Sequence, residues 1–201
     1  MGRTSDAREK LLQVAFELIW SNSYGTVSVD QICERARVNK GSFYHFFRSK
    51  TDLTVAAYEA HWQELRPELD RVFSPQTPPL ERLEQYCRSI YESQKAKFEK
   101  CGCVLGCPFA AVGCELSTQE EKIRRKAQEM FDRVSKYIET ALADAKREGL
   151  VETDNPKVEA QAVVSYVLGM LLQAKIRNDP DVLLNLEPIL MRMVGAKEFT
   201  A

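Results

Sequence analysis

The side chains best suited to chemistry lie between Ser28 and Lys50, and that chemistry is hydrogen bonding and ion pairing to a polyanion. Asn39 precedes Lys40, Gly41 and Ser42, and Tyr44 and His45 follow. On a helix opening at Lys40, the small and cationic residues of the first turn permit close approach to a DNA major groove. Tyr44 and His45 then offer a phenol and an imidazole to phosphates or base edges. Phe43 and Phe47, four apart, read as inward-facing. Free amides at helix starts favour phosphate, and Lys50, in the first turn of the next helix, adds its charge there.

Cys101, Cys103, Cys107 and Cys114 form a second group, in CGCVLGCPFAAVGCEL; Cys33 and Cys87 stand apart. Three readings fit the group. Thiolates bind soft metals, although C-x-C-x3-C-x6-C is not a standard zinc spacing and no histidine is near. A thiol sensor for oxidants or electrophiles is the second, with Cys107 placed just before Pro108 at a helix start. The third is that the cysteines act as small apolar residues lining a loop and a short helix.

Catalytic constellations are missing. The chain has two histidines, no glycine-rich phosphate loop and no H-E-x-x-H. His61 reads as a surface or core-edge residue. Glu115 and Glu120 read as helix-terminal charges rather than an acid–base pair. No enzyme activity, cofactor or firm metal site is expected.

Helices must position the first group. Ser28 and Gln31 form an S-x-x-Q capping box, and Val29, Ile32, Cys33 and Ala36 trace one apolar helical face. Ala36, Arg37 and Val38 make a short connection, and Asn39 caps a second helix over Lys40 to Phe46. Ser49 and Asp52 open a further helix at Lys50. Two short helices joined by about three residues make a helix-turn-helix. The same spacing fits a small helical subdomain with ordinary surface charge. Residues 1–50 carry eight Lys and Arg against five Asp and Glu, a net +3, and the other 151 residues carry −4. A basic head on an acidic body suits local DNA binding.

The string V-N-K-G-S-F-Y-H-F-F-R-S-K-T-D-L, residues 38 to 53, resembles the signature of the tetracycline-repressor (TetR) family. Upstream, R-E-K-L-L-Q-V-A-F-E-L-I-W and Y-G-T-V-S-V-D-Q-I resemble the family's first helix and the entry to its second. Asn39 departs from the commoner Ser or Thr. The resemblance implies an all-α homodimer of about nine helices per subunit. A three-helix DNA-binding head, residues 1–53, precedes a helical effector-binding and dimerisation body, residues 54–201. It implies a cytoplasmic transcriptional regulator, a repressor in most members, released from a double-stranded operator by a small-molecule effector. Carried over by position, Thr4, Ser28, Asn39, Lys40, Gly41, Ser42, Tyr44, His45 and Lys50 become the DNA-facing set. It also matches a Gly-Cys-x-x-Gly element at Gly102, Cys103 and Gly106, which favours the apolar reading of Cys103. A regulator that senses oxidants, electrophiles or a soft metal through residues 101–114 is the alternative. A ligand- or metal-binding helical protein whose head contacts other proteins is a reading from another class.

The rest of the chain reads as helices. The first runs from about Asp6 to Ser21, with Leu12, Phe16, Ile19 and Trp20 buried. Pro67 should kink or break the helix begun at Lys50, to suit packing or as part of a mechanism. Thr77 is expected to cap the next helix, with Pro78 at its first position. Ser117 and Glu120 predict a long helix from about Thr118 to Arg147. Another begins at Asn155–Pro156 and ends near Asn178, and a last one starts at Asp179–Pro180 with Pro188 bending it. Ala160 to Ala174 is apolar on almost every side, so it is either a central core helix or, with the last helix, half of a four-helix dimer interface. Phe98, Phe109, Met130, Phe131, Tyr137, Tyr166 and Met170 are candidates for an effector pocket, or plain core. The longest apolar stretch is too short to span a bilayer and the start is polar, so an intracellular chain with no membrane partner is expected.

Overall fold

The computed structural model describes residues 2–197, with side chains from Asp6 onward. Among these residues the chain is all helical: α1 Gly2–Ser21, α2 Val29–Ala36, α3 Lys40–Phe46, α4 Lys50–Val72, α5 Pro79–Cys101, α6 Pro108–Leu116, α7 Glu121–Arg147, α8 Pro156–Arg177, a 3-10 turn Pro180–Asn185, and α9 Leu186–Met193. The chain divides into two compact units, Met1–Leu65 with Pro108–Met130, and Arg66–Cys107 with Phe131–Ala201.

The first unit is organised around α1, α2 and α3. Leu11, Ala15 and Ile19 of α1 meet Ile32, Cys33 and Ala36 of α2 and Phe43 of α3, all buried. Phe16 and Trp20, expected in the stripe, are half-buried. Phe16 stacks on His61 with ring centroids 4.0 Å apart. The α2 capping box forms in both directions: the Gln31 amide donates to Ser28 Oγ at 3.2 Å, and the Ser28 amide to Gln31 Oε1 at 2.7 Å. Arg37 ends α2 in the left-handed region at φ 56°, and the chain turns straight into α3. Within this unit α6 packs on α1. Lys122 and Lys126 of α7 pair with Asp52 and Glu59 of α4, each at 2.6 Å.

In the second unit α5, α8, the 3-10 turn and α9 enclose Leu83, Val163, Leu183, Leu186 and Leu190. Arg82 is buried and donates to Asp144 at 2.6 Å and to the carbonyls of Thr77 and Pro75 at 2.7 and 3.2 Å. Gln94 and Asn178 hold the segment between α5 and α6. Gln94 pairs with the Gly106 backbone in both directions, and Asn178 accepts from the Val104 amide at 2.9 Å and donates to the Gly102 carbonyl at 3.0 Å.

Four boundaries differ from the sequence expectation. α4 is not broken at Pro67, whose ring deprives the Gln63 carbonyl of its donor. α5 opens at Pro79 with no side-chain cap, and Thr77 instead gives its carbonyl to Arg82. α7 opens at Glu121, because residues 117–119 form a turn closed by the Gln119 and Glu120 amides on Leu116 O. The last helix divides into a 3-10 turn and α9. Pro188 then falls in the first turn of α9, where a missing N–H costs nothing.

Candidate nucleic-acid interface

α3 is short, and its two faces differ sharply. Asn39 Oδ1 accepts the Ser42 amide at 2.8 Å and fixes the helix start. Phe43 is wholly buried, with Phe47 packed beside it. Asn39, Lys40, Gly41, Tyr44 and His45 are exposed, Tyr44 at 58%, and Ser42 is half-buried. A large aromatic ring left in solvent on the outer face of a capped helix is available to a partner. Ser28 is also exposed. The side chain of Thr4 lies outside the described residues.

Charge is arranged around this face. Lys40 Nζ lies 2.5 Å from Asp30, both largely exposed, and that bond raises the lysine's pKa. A pair so exposed is held weakly, which leaves Lys40 available to exchange partners. Lys50, expected to lend its charge to phosphate, is half-buried. Its ammonium donates to the carbonyls of Tyr24 and Val27 at 2.7 and 2.8 Å and lies 3.9 Å from the centre of the Tyr24 ring. Burial lowers its pKa, and Glu115 opposes that shift. Its charge is used inside the head, where it holds the α1–α2 turn against the start of α4.

Glu115, a helix-terminal charge by sequence, has a longer reach. Its two carboxylate oxygens accept the amides of Tyr24 at 3.0 Å and Gly25 at 2.7 Å. The Tyr24 hydroxyl meets Thr51 Oγ1 at 3.0 Å, and burial raises the phenol's pKa. These partners lie 91, 90 and 27 residues apart, and no local pattern announces them.

Cys101, Cys103 and Cys114 are exposed and Cys107 half-buried, whereas Cys33 and Cys87 are buried. Burial pushes the Cys87 thiol up to about 12 and raises Cys33. Cys101 Sγ faces the carbonyls of Lys97 and Cys103, and Cys114 belongs to the other compact unit. Among the described residues no group of three or more His, Cys, Asp or Glu side chains is placed to hold a metal ion.

Of the seven pocket candidates, Phe109 and Met130 are buried in the first unit. Phe98, Phe131, Tyr137, Tyr166 and Met170 are half-buried in the second. Phe109 packs on Tyr58 and His61, and Tyr137 on Phe73. The Tyr137 hydroxyl donates to Asp70, and that of Tyr166 to the Asn185 carbonyl. Phe16, Trp20, Tyr58 and Val112 among others line a shallow apolar depression in the first unit with no room for a water molecule, and none of the seven lines it. No helix among the described residues is long and apolar enough to cross a membrane.

Comparison with known proteins agrees with this arrangement. The profile described as bacterial regulatory proteins, tetR family, matches residues 11–57, and that of the tetracyclin repressor-like C-terminal domain matches 79–186. The transcriptional regulator AcuR of Cereibacter sphaeroides is 29% identical over 177 residues, 87% of this chain and 79% of AcuR. The HTH-type transcriptional repressor NemR of Escherichia coli K12 is 28% identical over 173 residues, 85% of each chain. The crystal structure of E. coli NemR in its reduced form superposes with a TM-score of 0.82 at 26% identity, covering 95% of this chain and 98% of that one. With both profiles matched and the helix-turn-helix formed, the chain belongs to the tetR family of DNA-binding transcriptional regulators.

Proposed function

We propose that this protein is a homodimeric repressor that binds a roughly palindromic operator through α3 and releases it when a small molecule enters the body. Residues 1–53 serve as the DNA-binding domain and 54–201 as the effector-binding and dimerisation domain. The observation that carries the reading is the outer face of α3, with Lys40, Gly41, Tyr44 and His45 exposed over a buried Phe43. Tyr44 and His45 reach phosphates or base edges, Ser28, Asn39 and Ser42 lie at helix starts where phosphate is favoured, and Thr4 adds a backbone contact. Lys50 supports the turn from within. The effector is an unassigned small molecule, and the cell compartment is the cytoplasm.

Pairing rests on α8. Val163, Val167 and Leu171 face its own body, while Val158, Ala162, Ser165, Gly169, Leu172 and Ile176 recur at spacings of four and three on the exposed side. A Cβ at Gly169 would meet open space, so another helix has room to approach there. Two copies of this stripe, flanked by the exposed Leu184 and Met193, build the two-fold interface. Paired heads then meet successive major grooves about 34–36 Å apart.

The test is binding to a duplex that the wild-type chain selects from a random-sequence pool. Tyr44→Ala weakens specific binding roughly tenfold or more, the scale of one good base or phosphate contact. An unchanged affinity counts against α3 as the reading surface.

A second reading, thiol sensing, is favoured by one observation: the cysteines of residues 101–114 are exposed or half-buried while the other two are buried. A thiol-reactive electrophile that leaves duplex affinity unaltered removes it.

A further inference from the structure

The α1–α2 turn is gripped from two sides by charges. From α6, the Glu115 carboxylate takes the successive amides of Tyr24 and Gly25, one on each oxygen. From α4, the Lys50 ammonium takes the carbonyls of Tyr24 and Val27. All four bonds involve an ionised group and are the stronger for it. Gly25 fits this grip: a Cβ there would lie 3.2 Å from Glu115 Oε1, so the residue keeps clear the path by which the carboxylate reaches the backbone.

The turn determines where α2 begins. Its last residue, Val27, is buried, and the next, Ser28, is the N-cap of α2. α2 packs on α3, which carries Tyr44 and Lys40. A displacement of the turn therefore passes through a rigid, capped helix to α3. Glu115 is itself only half-buried. Water can replace it at the two amides, so its loss affects the placement of the turn more than the stability of the fold.

We infer that Glu115 is a positioning residue that couples α6 to the DNA-reading head. With the carboxylate on Tyr24 and Gly25, the turn, α2 and α3 hold the arrangement that binds DNA. This rests on the DNA-binding reading of α3. It adds a defined link between a helix beyond residue 100 and that surface.

The test uses the full-length protein with Glu115→Gln, which keeps the side-chain shape but loses the charge and one acceptor, and Glu115→Asp, which keeps the charge and shortens the reach. Three quantities are measured: the Tyr24 and Gly25 amide proton resonances and exchange rates, the melting temperature, and affinity for the duplex selected by wild type. For Glu115→Gln, both amides move upfield and exchange faster, and melting stays within about 4 °C of wild type. Duplex affinity falls roughly tenfold, within the 5–150-fold range usual for coupled sites. Glu115→Asp falls between the two. Amides that do not move, or a Glu115→Gln chain that binds the selected duplex as wild type does, overturns the inference. A wild-type chain that selects no duplex overturns the DNA reading first and this proposal with it.

Discussion

Replacing Leu172 with aspartate should separate the subunits without unfolding them. Leu172 leaves 56% of its surface exposed on the outer stripe of α8, between Gly169 and Ile176, which is 69% exposed. Full burial of a leucine side chain is worth roughly 1.5–3 kcal/mol, so completing this one contributes about 1–1.5 kcal/mol per copy. In the proposed two-fold dimer two copies enter the interface, and their loss would remove about 2–3 kcal/mol, or roughly 30–150-fold in the dimer dissociation constant. Two carboxylates carried into an apolar interface add several kcal/mol more. The expected weakening thus exceeds roughly a thousandfold. Sedimentation velocity over a dilution series measures it, with helical circular dichroism as the control for folding. Leu171, one residue earlier, faces the subunit's own core. Leu171→Asp should therefore unfold the chain, where Leu172→Asp only divides the dimer. A Leu172→Asp chain that sediments as a dimer at every concentration where wild type does would refute α8 as the pairing surface.

Other perturbations probe the head and the body separately. Phe43→Ala removes a wholly buried ring beneath the reading surface and should cost about 3–5 kcal/mol in denaturant unfolding, since such a cavity does not refill. Asp144→Asn weakens the partner of the buried Arg82 guanidinium and should cost about 3–5 kcal/mol. The same pair predicts acid sensitivity. The hydrogen bond from Arg82, with help from Arg147, holds the Asp144 carboxyl below its usual value. Its stabilisation is then complete above the unfolded pKa, about 3.9, and is lost as pH falls through the lower folded value. Urea midpoints between pH 6 and pH 2.5 should decline more steeply for wild type than for Asp144→Asn. Parallel curves would show that the pair carries no such linkage.

The head was legible from sequence because its signals are local. Ser28 with Gln31, and Asn39 with Ser42, are caps within three residues, and the bounds of α3 follow from them. The pair Ser117 and Glu120 has the same spacing but forms no cap, since the Leu116 carbonyl takes the Gln119 and Glu120 amides and delays α7 to Glu121. Thr77 loses its capping role to geometry of the same kind, where Arg82 reaches back to its carbonyl. Pro188 reads as a bend until the 3-10 turn places it in the first turn of α9. Long-range partners left no trace. The grip of Glu115 on Tyr24 and Gly25 spans about ninety residues, and Lys50 is met by backbone carbonyls, which carry no side-chain signature. Aromatic and methionine content likewise fails to separate pocket from core. Met130 and Phe109 are buried, while Tyr137 and Tyr166 spend their hydroxyls on Asp70 and Asn185.

In the proposed complex α3 lies against duplex DNA and is presented in pairs. Affinity for the selected duplex, measured over a series of salt concentrations together with the protein-to-DNA ratio at saturation, tests it most directly. Two chains per duplex are expected, with a logarithmic affinity that falls linearly with the logarithm of salt, by about 0.9 per phosphate neutralised. Binding indifferent to salt, or a single chain per duplex, would contradict it.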